Sequence, residues 1–258
     1  MAYSDSTWFR IKSLMRDPKK NLKKVRPFIA SRIDPYTRPI VGKYWDDRVL
    51  KPAVEHDEFI GYFNYRDGFF LECGGHDGYG NDPTYYLEKA LGWKGIIAEP
   101  LPVFKLCKKN RRNSKVYNCA IGSFEQGNSV VSFTDCDCMS FVSGSIDNKE
   151  DWVKAAESAQ SIKSKDIKVA IRPFQDLIDE YFSMNGPRKI DLLVVDTEGS
   201  ELSVLKGIDF EKNPPEYIFA ESHTDERTRS IAGYLDRKGY ALVAGFSDHD
   251  FLFKIKSE

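Results

Sequence analysis

The chain has 258 residues, 41% of them hydrophobic, which suffices for one α/β domain with a full core and a small appendage. Its formal net charge of −1 gives no overall attraction to nucleic acid or to a membrane surface. No apolar run approaches the ~20 residues of a membrane span, and no signal peptide is visible. The five cysteines include one close pair, Cys136 and Cys138, but no repeated zinc-type pattern. We therefore expect a reduced, cytoplasmic protein.

Residues 1–57 are predicted to form a helical appendage with a basic face. Trp8, Ile11 and Met15 share one helical face, and lysine and arginine dominate the polar side. A basic amphipathic helix can make peripheral contact with an anionic membrane or a phosphorylated acceptor. We favour the simpler interpretation, a solvated face on a helix that covers the core or a second copy in a homo-oligomer.

Residues 58–258 are predicted to form the main domain, in which strands and helices alternate. Strand-like runs cover 69–72, 95–99, 116–121, 129–134, 190–196, 217–221, 240–244 and 251–255. Helical patterns cover 83–91, 103–110, 173–182, 200–206 and 225–238. This alternation favours a doubly wound α/β sheet. The polar segment 135–168 shows no clear period and is predicted to be a lid or binding loop.

The polar residues that end the first two strands predict an adenosine site. In open α/β sheets, ligands bind beyond the carboxyl ends of the strands. The first strand leads into Glu72-Cys-Gly-Gly-His-Asp-Gly78, whose glycines let a ligand approach the backbone. Glu99 ends the second strand, where a carboxylate can accept both ribose hydroxyls.

The charge of this glycine turn discriminates between cofactors. The dinucleotide pattern G-x-G-x-x-G is absent, and Glu72 and Asp77 would repel a pyrophosphate. The same charges suit the sulfonium and amino groups of S-adenosylmethionine. An NAD(P)-dependent oxidoreductase is therefore the disfavoured alternative, and a noncatalytic binding protein on the same scaffold is a third.

Several motifs resemble the FkbM family of S-adenosylmethionine-dependent methyltransferases. They are Glu72–Gly78, Tyr85–Lys89 with Gly92–Gly95, Glu99-Pro100, Asn118–Gly122, Ile190–Glu201 and Val204–Gly207. The resemblance implies a Rossmann-like class I methyltransferase fold, with a seven-stranded, mostly parallel sheet whose last strand is antiparallel. It also implies O-methylation of a sugar, glycoconjugate or natural product. The family usually has Asp at position 72 and Asn at position 76.

Motif matching assigns roles around the cofactor. Glu72, Gly74 and Gly78 are expected at the methionine end, Glu99 at the ribose, and residues 118–120 beside the adenine. The full predicted cofactor-binding set is Glu72, Gly74, Gly75, His76, Asp77, Gly78, Glu99, Pro100, Asn118, Cys119, Ala120 and Asp196.

The predicted catalytic residues are Asp196, Glu198 and His223, at the ends of the fourth and fifth parallel strands. Methyl transfer needs the hydroxyl of a small-molecule or glycan acceptor held in line with the methyl group. His223 is the candidate base, because an ordinary histidine pKa near 6.5 suits that task; a surface histidine is the alternative. Asp196 and Glu221 are alternatively predicted to bind Mg²⁺, which prefers oxygen ligands and would lower the pKa of the acceptor. A nucleic-acid acceptor is disfavoured, since basic residues concentrate in the appendage.

Overall fold

The computed structural model describes residues 57–79 and 82–256. The predicted appendage lies outside the described residues, except for Asp57, which begins the first described helix. Within the described ranges, every helix is too short or too polar to cross a membrane.

Eleven strands and seven α-helices occupy the described residues. The strands are β1 (Phe69–Cys73), β2 (Lys94–Ala98), β3 (Lys115–Tyr117), β4 (Ala120–Gly122), β5 (Ser129–Asp135), β6 (Phe141–Val142), β7 (Lys165–Pro173), β8 (Leu192–Val195), β9 (Tyr217–Glu221), β10 (Tyr240–Gly245) and β11 (Asp250–Ile255). The helices are α1 (Asp57–Phe63), α2 (Tyr85–Leu91), α3 (Phe104–Asn110), α4 (Lys149–Gln160), α5 (Phe174–Asn185), α6 (Glu201–Leu205) and α7 (Asp225–Arg237).

A seven-stranded sheet forms the centre of the domain, in the order β10-β11-β9-β8-β1-β2-β3. Five neighbouring strands of this sheet run parallel, namely β9, β8, β1, β2 and β3, and β11 pairs antiparallel with both β9 and β10. The predicted seven-stranded sheet with an antiparallel last strand is thus confirmed. Every residue of β1 and β8 is buried, as expected for central parallel strands covered on both faces.

Helices cover both faces of this sheet. On one face, Leu177 of α5, Val204 of α6 and Leu235 of α7 pack in the larger apolar cluster. On the other face, Phe63 of α1 packs edge-on against Trp93, with ring centroids 6.0 Å apart. These three layers leave the carboxyl ends of the parallel strands open at one edge.

A second, four-stranded sheet, in the order β4-β7-β5-β6, corrects two of our expectations. The strand predicted over 116–121 breaks at Asn118 and Cys119, so that β3 joins the central sheet and β4 the second sheet. The segment 135–168, expected to lack structure, contains a 3-10 helix (Asp137–Met139), β6, α4 and the start of β7. Its helix was not visible in the sequence because α4 fully buries Ala156 and leaves most of its other side chains at least partly exposed.

Candidate active site

An open cavity lies beyond the carboxyl ends of β1, β2 and β8, where parallel α/β sheets bind their ligands. Eight of the predicted site residues line it: Gly74, His76, Glu99, Pro100, Cys119, Ala120, Asp196 and Glu198. The second sheet and its 3-10 helix supply much of the opposite wall through Phe133, Asp137, Cys138, Ser140 and Val142. The sequence predicted a lid or binding loop over residues 135–168, but it included none of these five wall residues among the predicted site residues.

The glycine turn after β1 brings two strand ends into contact. Gly74 has a φ of +85°, and its N–H donates to the carbonyl of Ala98 at 3.0 Å. A Cβ at this position would overlap the backbone carbonyl oxygen of Asp196. Glycine is therefore required both by the left-handed backbone and by the close approach of the strand that carries Asp196.

Glu99 is held by the backbone on the cavity wall. Its side chain is buried, with Oε1 accepting from the Leu101 N–H at 2.7 Å and Oε2 accepting from the His76 N–H at 2.8 Å. Burial raises the pKa of Glu99, and these two backbone N–H groups oppose that shift. Each oxygen keeps room for a further donor, so the carboxylate presents two fixed acceptors to a ligand.

We expected Glu72 to face the cavity, but it does not line it. Its carboxylate accepts from the Thr84 hydroxyl at 2.7 Å and lies 3.5 Å from Nη1 of Arg111. Burial and the neighbouring Asp82 raise the pKa of Glu72, against the opposing effect of Arg111 and Thr84. The negative charge that the sequence argument assigned to the methionine end is therefore engaged in a buried cluster behind the glycine turn.

Arg111 is the centre of that cluster and was missed by sequence analysis. Its guanidinium is fully buried, donates to Glu88 Oε2 through Nε at 2.9 Å, and also pairs with Asp82 and Thr84. In the sequence it stands in a polar run after a helix, where a surface arginine is the ordinary expectation. The cluster ties the start of α2 to the residue that follows α3.

Four further predicted cofactor residues shape the wall without lining it. Gly75 donates its N–H to Ala98, and Gly78 packs against Arg111. Asp77 accepts from the Tyr79 N–H at 2.8 Å. The exposed Asn118 donates its amide to the carbonyl oxygens of Glu99 and Pro100, both at 2.9 Å. These residues fix the turns on which the cavity-lining residues sit.

An acidic cluster around one histidine borders the other end of the cavity. His223 Nε2 lies 2.9 Å from Glu198 Oε2 and 3.5 Å from Glu221 Oε2. Burial and then Glu221 raise the pKa of Asp196, with which Glu221 shares a hydrogen bond. Burial raises the pKa of Glu221, but hydrogen bonds with His223 and Asp196 outweigh it and lower that pKa overall. The structure thus brings Asp196, Glu198, Glu221 and His223 together as the sequence predicted.

His223 is electrostatically different from the free base that we expected. Hydrogen bonding to Glu198, followed by that to Glu221, raises the pKa of His223 to about 10. In the free enzyme at neutral pH it is therefore an imidazolium that neutralises part of the acidic cluster.

The segment after β6 holds the turn that carries Glu198. Ser145 donates its hydroxyl to the Glu198 carbonyl at 3.2 Å, and Arg227 donates to the Ser145 carbonyl at 2.6 Å. Trp152 of α4 packs edge-on against His223, with ring centroids 5.3 Å apart. The second sheet and α4 therefore help to position the acidic cluster as well as to enclose the cavity.

The cavity combines a preorganised acceptor pair at Glu99 with a carboxylate–histidine cluster. The first arrangement can bind a diol, and the second can orient a hydroxyl and take up its proton.

One comparison with known proteins, the match of a family model, agrees with this geometry. The family model described as "Methyltransferase FkbM domain" matches residues 72–242, about two thirds of the chain. No curated protein matches the sequence. Among solved structures, precorrin-6y C5,15-methyltransferase from Geobacter metallireducens GS-15 shares 11% identity, over 80% of this chain and 92% of that chain, with a TM-score of 0.38. This last similarity is too distant to carry an argument.

The family match spans both ends of the cavity. It begins at Glu72, at the end of β1, and extends past Glu198, Glu221 and His223 into β10. The sheet order and the cavity at its carboxyl edge are those expected of a methyltransferase with a class I fold. With the match covering the whole site, this chain belongs to the FkbM methyltransferase family.

Proposed function

We propose that the protein is an S-adenosylmethionine-dependent O-methyltransferase that acts on a hydroxyl of a sugar, a glycoconjugate or a natural product. The observation that carries the proposal is Glu99, whose two oxygens are each held by one backbone N–H on the cavity wall. Two fixed acceptors match the two adjacent hydroxyls of a ribose, as a carboxylate does at this position of dinucleotide-binding sheets.

The cavity next to Glu99 suits the rest of an adenosine donor. Pro100, Leu101 and Ala120 offer apolar contacts on the side where the adenine is expected. Asp196 and Glu198, on the same cavity, supply carboxyl oxygens that can accept hydrogen bonds from the amino group of the donor. When bound, S-adenosylmethionine supplies an electrophilic methyl group to a nucleophile.

The acceptor hydroxyl is assigned to the end that contains Glu198. Glu198 lines the cavity, whereas His223 does not line it and instead makes a 2.9 Å hydrogen bond to the carboxylate of Glu198. We therefore assign removal of the hydroxyl proton to Glu198, with His223 as the residue that positions it and balances its charge. The sequence suggested His223 as the base and gave Glu198, also predicted to be catalytic, no separate role.

Magnesium at Asp196 and Glu221 stays a finer proposal. The two carboxylates share a hydrogen bond, and close carboxylates require a proton or a cation between them. Their oxygens suit Mg²⁺, which Asp196 and Glu221 would hold and which would lower the pKa of the acceptor hydroxyl. A rate that is lost on chelation and restored by Mg²⁺ would support this ligand set.

Thermal unfolding with candidate ligands tests the donor. S-adenosylhomocysteine and S-adenosylmethionine are expected to raise the unfolding midpoint, and NAD is not, because only a ligand of the folded state stabilises it. A raised unfolding midpoint with NAD, but with neither S-adenosylhomocysteine nor S-adenosylmethionine, would overturn the proposal.

A screen with a labelled methyl donor tests the reaction. Hydroxylated sugars and natural products are supplied with and without chelator, and label is expected on oxygen. Glu198→Gln should lower kcat by a larger factor than it changes KM. His223→Gln should lower kcat by a smaller factor than Glu198→Gln does. Label found exclusively on carbon or nitrogen would refute O-methylation while leaving the methyltransferase assignment intact.

A further inference from the structure

Three side chains of metal-binding type meet at the rim of the cavity, away from the acidic cluster. His76 follows the glycine turn of the central sheet, and Asp137 and Cys138 lie on the 3-10 helix beside the second sheet. His76 Nε2 is 2.6 Å from Asp137 Oδ1, and Cys138 Sγ is 3.9 Å from both ring nitrogens of His76. One ligand atom from each residue falls within 4.8 Å of the other two.

We propose that His76, Asp137 and Cys138 bind a zinc ion. Zinc takes thiolate, imidazole and carboxylate ligands in tetrahedral geometry at about 2.0–2.3 Å, which places neighbouring ligand atoms about 3.3–3.8 Å apart. The thiol sulfur, 3.9 Å from the His76 nitrogens, lies about 0.1 Å beyond this range, and the hydrogen-bonded His76–Asp137 pair needs to open by less than about 1 Å to admit the ion. The set leaves the fourth position to water, since it offers three protein ligands.

The local structure holds these ligands in place. The Cys138 N–H donates to Gln160 Oε1 at 3.0 Å, and the Asp137 N–H donates to Asp135 Oδ1 at 3.2 Å. The His76 N–H donates to Glu99, so its ring projects from a fixed point on the cavity wall. Anchored ligands reduce the cost of ordering a metal site.

Cys138 is the accessible thiol of the chain. All five cysteines lie in the described ranges, and the other four are buried. Cys136, its neighbour in the close pair, packs with Phe141 and Ala156 and does not face the site. Cys138 thus contacts His76, 62 positions away in the sequence, rather than its near neighbour Cys136.

Zinc at this point would join the two sheets across the cavity rim. The glycine turn follows a strand of the central sheet, whereas residues 137–138 belong to the segment 135–168, which supplies part of the opposite wall. The proposal concerns this metal site alone and does not depend on the methyl donor or the acceptor.

Direct zinc binding tests the proposal. The purified full chain, freed of affinity tag and metal, is titrated with Zn²⁺ against a colorimetric chelator. We expect one zinc per chain bound at this site, and at least tenfold weaker binding in Cys138→Ser and in His76→Asn, because each removes one of three ligands. With Co²⁺ in place of zinc, the wild type should show thiolate-to-cobalt absorption that Cys138→Ser lacks.

His223→Gln is the matched control, because it removes a histidine from a second group of metal-binding type among the described residues, Glu198, Glu221 and His223. It should bind zinc through the proposed site as the wild type does. Circular dichroism and the metal-free unfolding midpoint establish that each variant is folded; Cys138 is exposed, so its exchange for serine should leave both unchanged. Unchanged zinc affinity in Cys138→Ser, or no binding by the wild type, or loss confined to His223→Gln, overturns the proposal.

Discussion

The replacement Glu99→Gln tests the claim that this carboxylate binds the ribose. In the structure both oxygens accept a backbone N–H, at 2.7 Å and 2.8 Å, and both retain an acceptor site. A glutamine keeps one acceptor oxygen and places an NH₂ group against one of those N–H donors. It loses the negative charge and at least one of the two hydrogen bonds to the ligand.

The expected loss of affinity follows from these bonds. A hydrogen bond to a charged group contributes about 1.5–3 kcal/mol. Losing one such bond and weakening the other should cost about 2–4 kcal/mol, which is roughly a 30- to 1000-fold rise in the Kd of S-adenosylhomocysteine. Burial makes the upper half of this range the expectation, since the side chain is 3% exposed.

Calorimetric titration with S-adenosylhomocysteine and with its 2′-deoxy analogue separates this effect from misfolding. The wild type should discriminate strongly between the two ligands, and Glu99→Gln should discriminate much less, which gives a coupling between residue and hydroxyl. Glu125→Gln, at an exposed carboxylate, is the control and should bind as the wild type does. Equal discrimination in the wild type and in Glu99→Gln would refute the ribose assignment, even if both variants bind more weakly.

Three further predictions concern the scaffold of the site. Arg111→Met should lower the free energy of unfolding by about 3–5 kcal/mol in a urea titration, because it leaves buried carboxylates unpaired, while Arg112→Met at the exposed neighbour should stay within about 0.5 kcal/mol; equal effects would contradict the buried ion pairs. Gly74→Ala should lower stability by at least about 1–3 kcal/mol and weaken donor binding, because of its positive φ and its contact with the next strand, whereas Gly61→Ala in the open face of α1 should be neutral or stabilising; a harmless Gly74→Ala would contradict the contact. Burial raises the pKa of Glu88, but Arg111 and its neighbours outweigh burial and lower that pKa overall. The stability that ionised Glu88 contributes is therefore present at neutral pH and is lost as the pH falls through its folded pKa. In urea titrations from pH 7 to pH 3, Glu88→Gln should lose less stability with falling pH than the wild type, and an equal loss in both proteins would contradict this linkage.

The sequence predicted those parts of the site that depend on local pattern. The apolar run before Asp196, the glycine turn after β1 and the position of Glu99 are each determined within about ten residues. Because parallel strands place their carboxyl ends at one edge, local patterns sufficed to bring Gly74, Glu99 and Asp196 to one cavity.

The sequence did not predict parts that depend on distant partners. The residues near Glu72 in the sequence give no sign of Arg111, which lies 39 positions later, packs against the glycine turn and forms an ion pair with the Glu72 carboxylate. The pKa of His223 likewise depends on Glu198, 25 positions away, so its charge state cannot be inferred from the residue type. Of the second sheet, the sequence predicted the strand over 129–134 but not its partner β7, because β7 is only partly buried and pairs with β5 across 30 or more positions.

The second sheet determines how far the acceptor end can change. Ser145 and Arg227 contact the turn at Gly199 so closely that a Cβ there would overlap both. That turn also carries Glu198, whose φ of +49° is held by the surrounding contacts rather than by its own preference. Because the insertion after β6 and the acidic cluster are packed as one unit, a new acceptor shape requires changes in both. The proposed donor end is built from β1 and β2, but His76 in its glycine turn also pairs with Asp137 of the 3-10 helix. Changes at either end of the cavity are therefore coupled to the wall that the second sheet and its 3-10 helix supply.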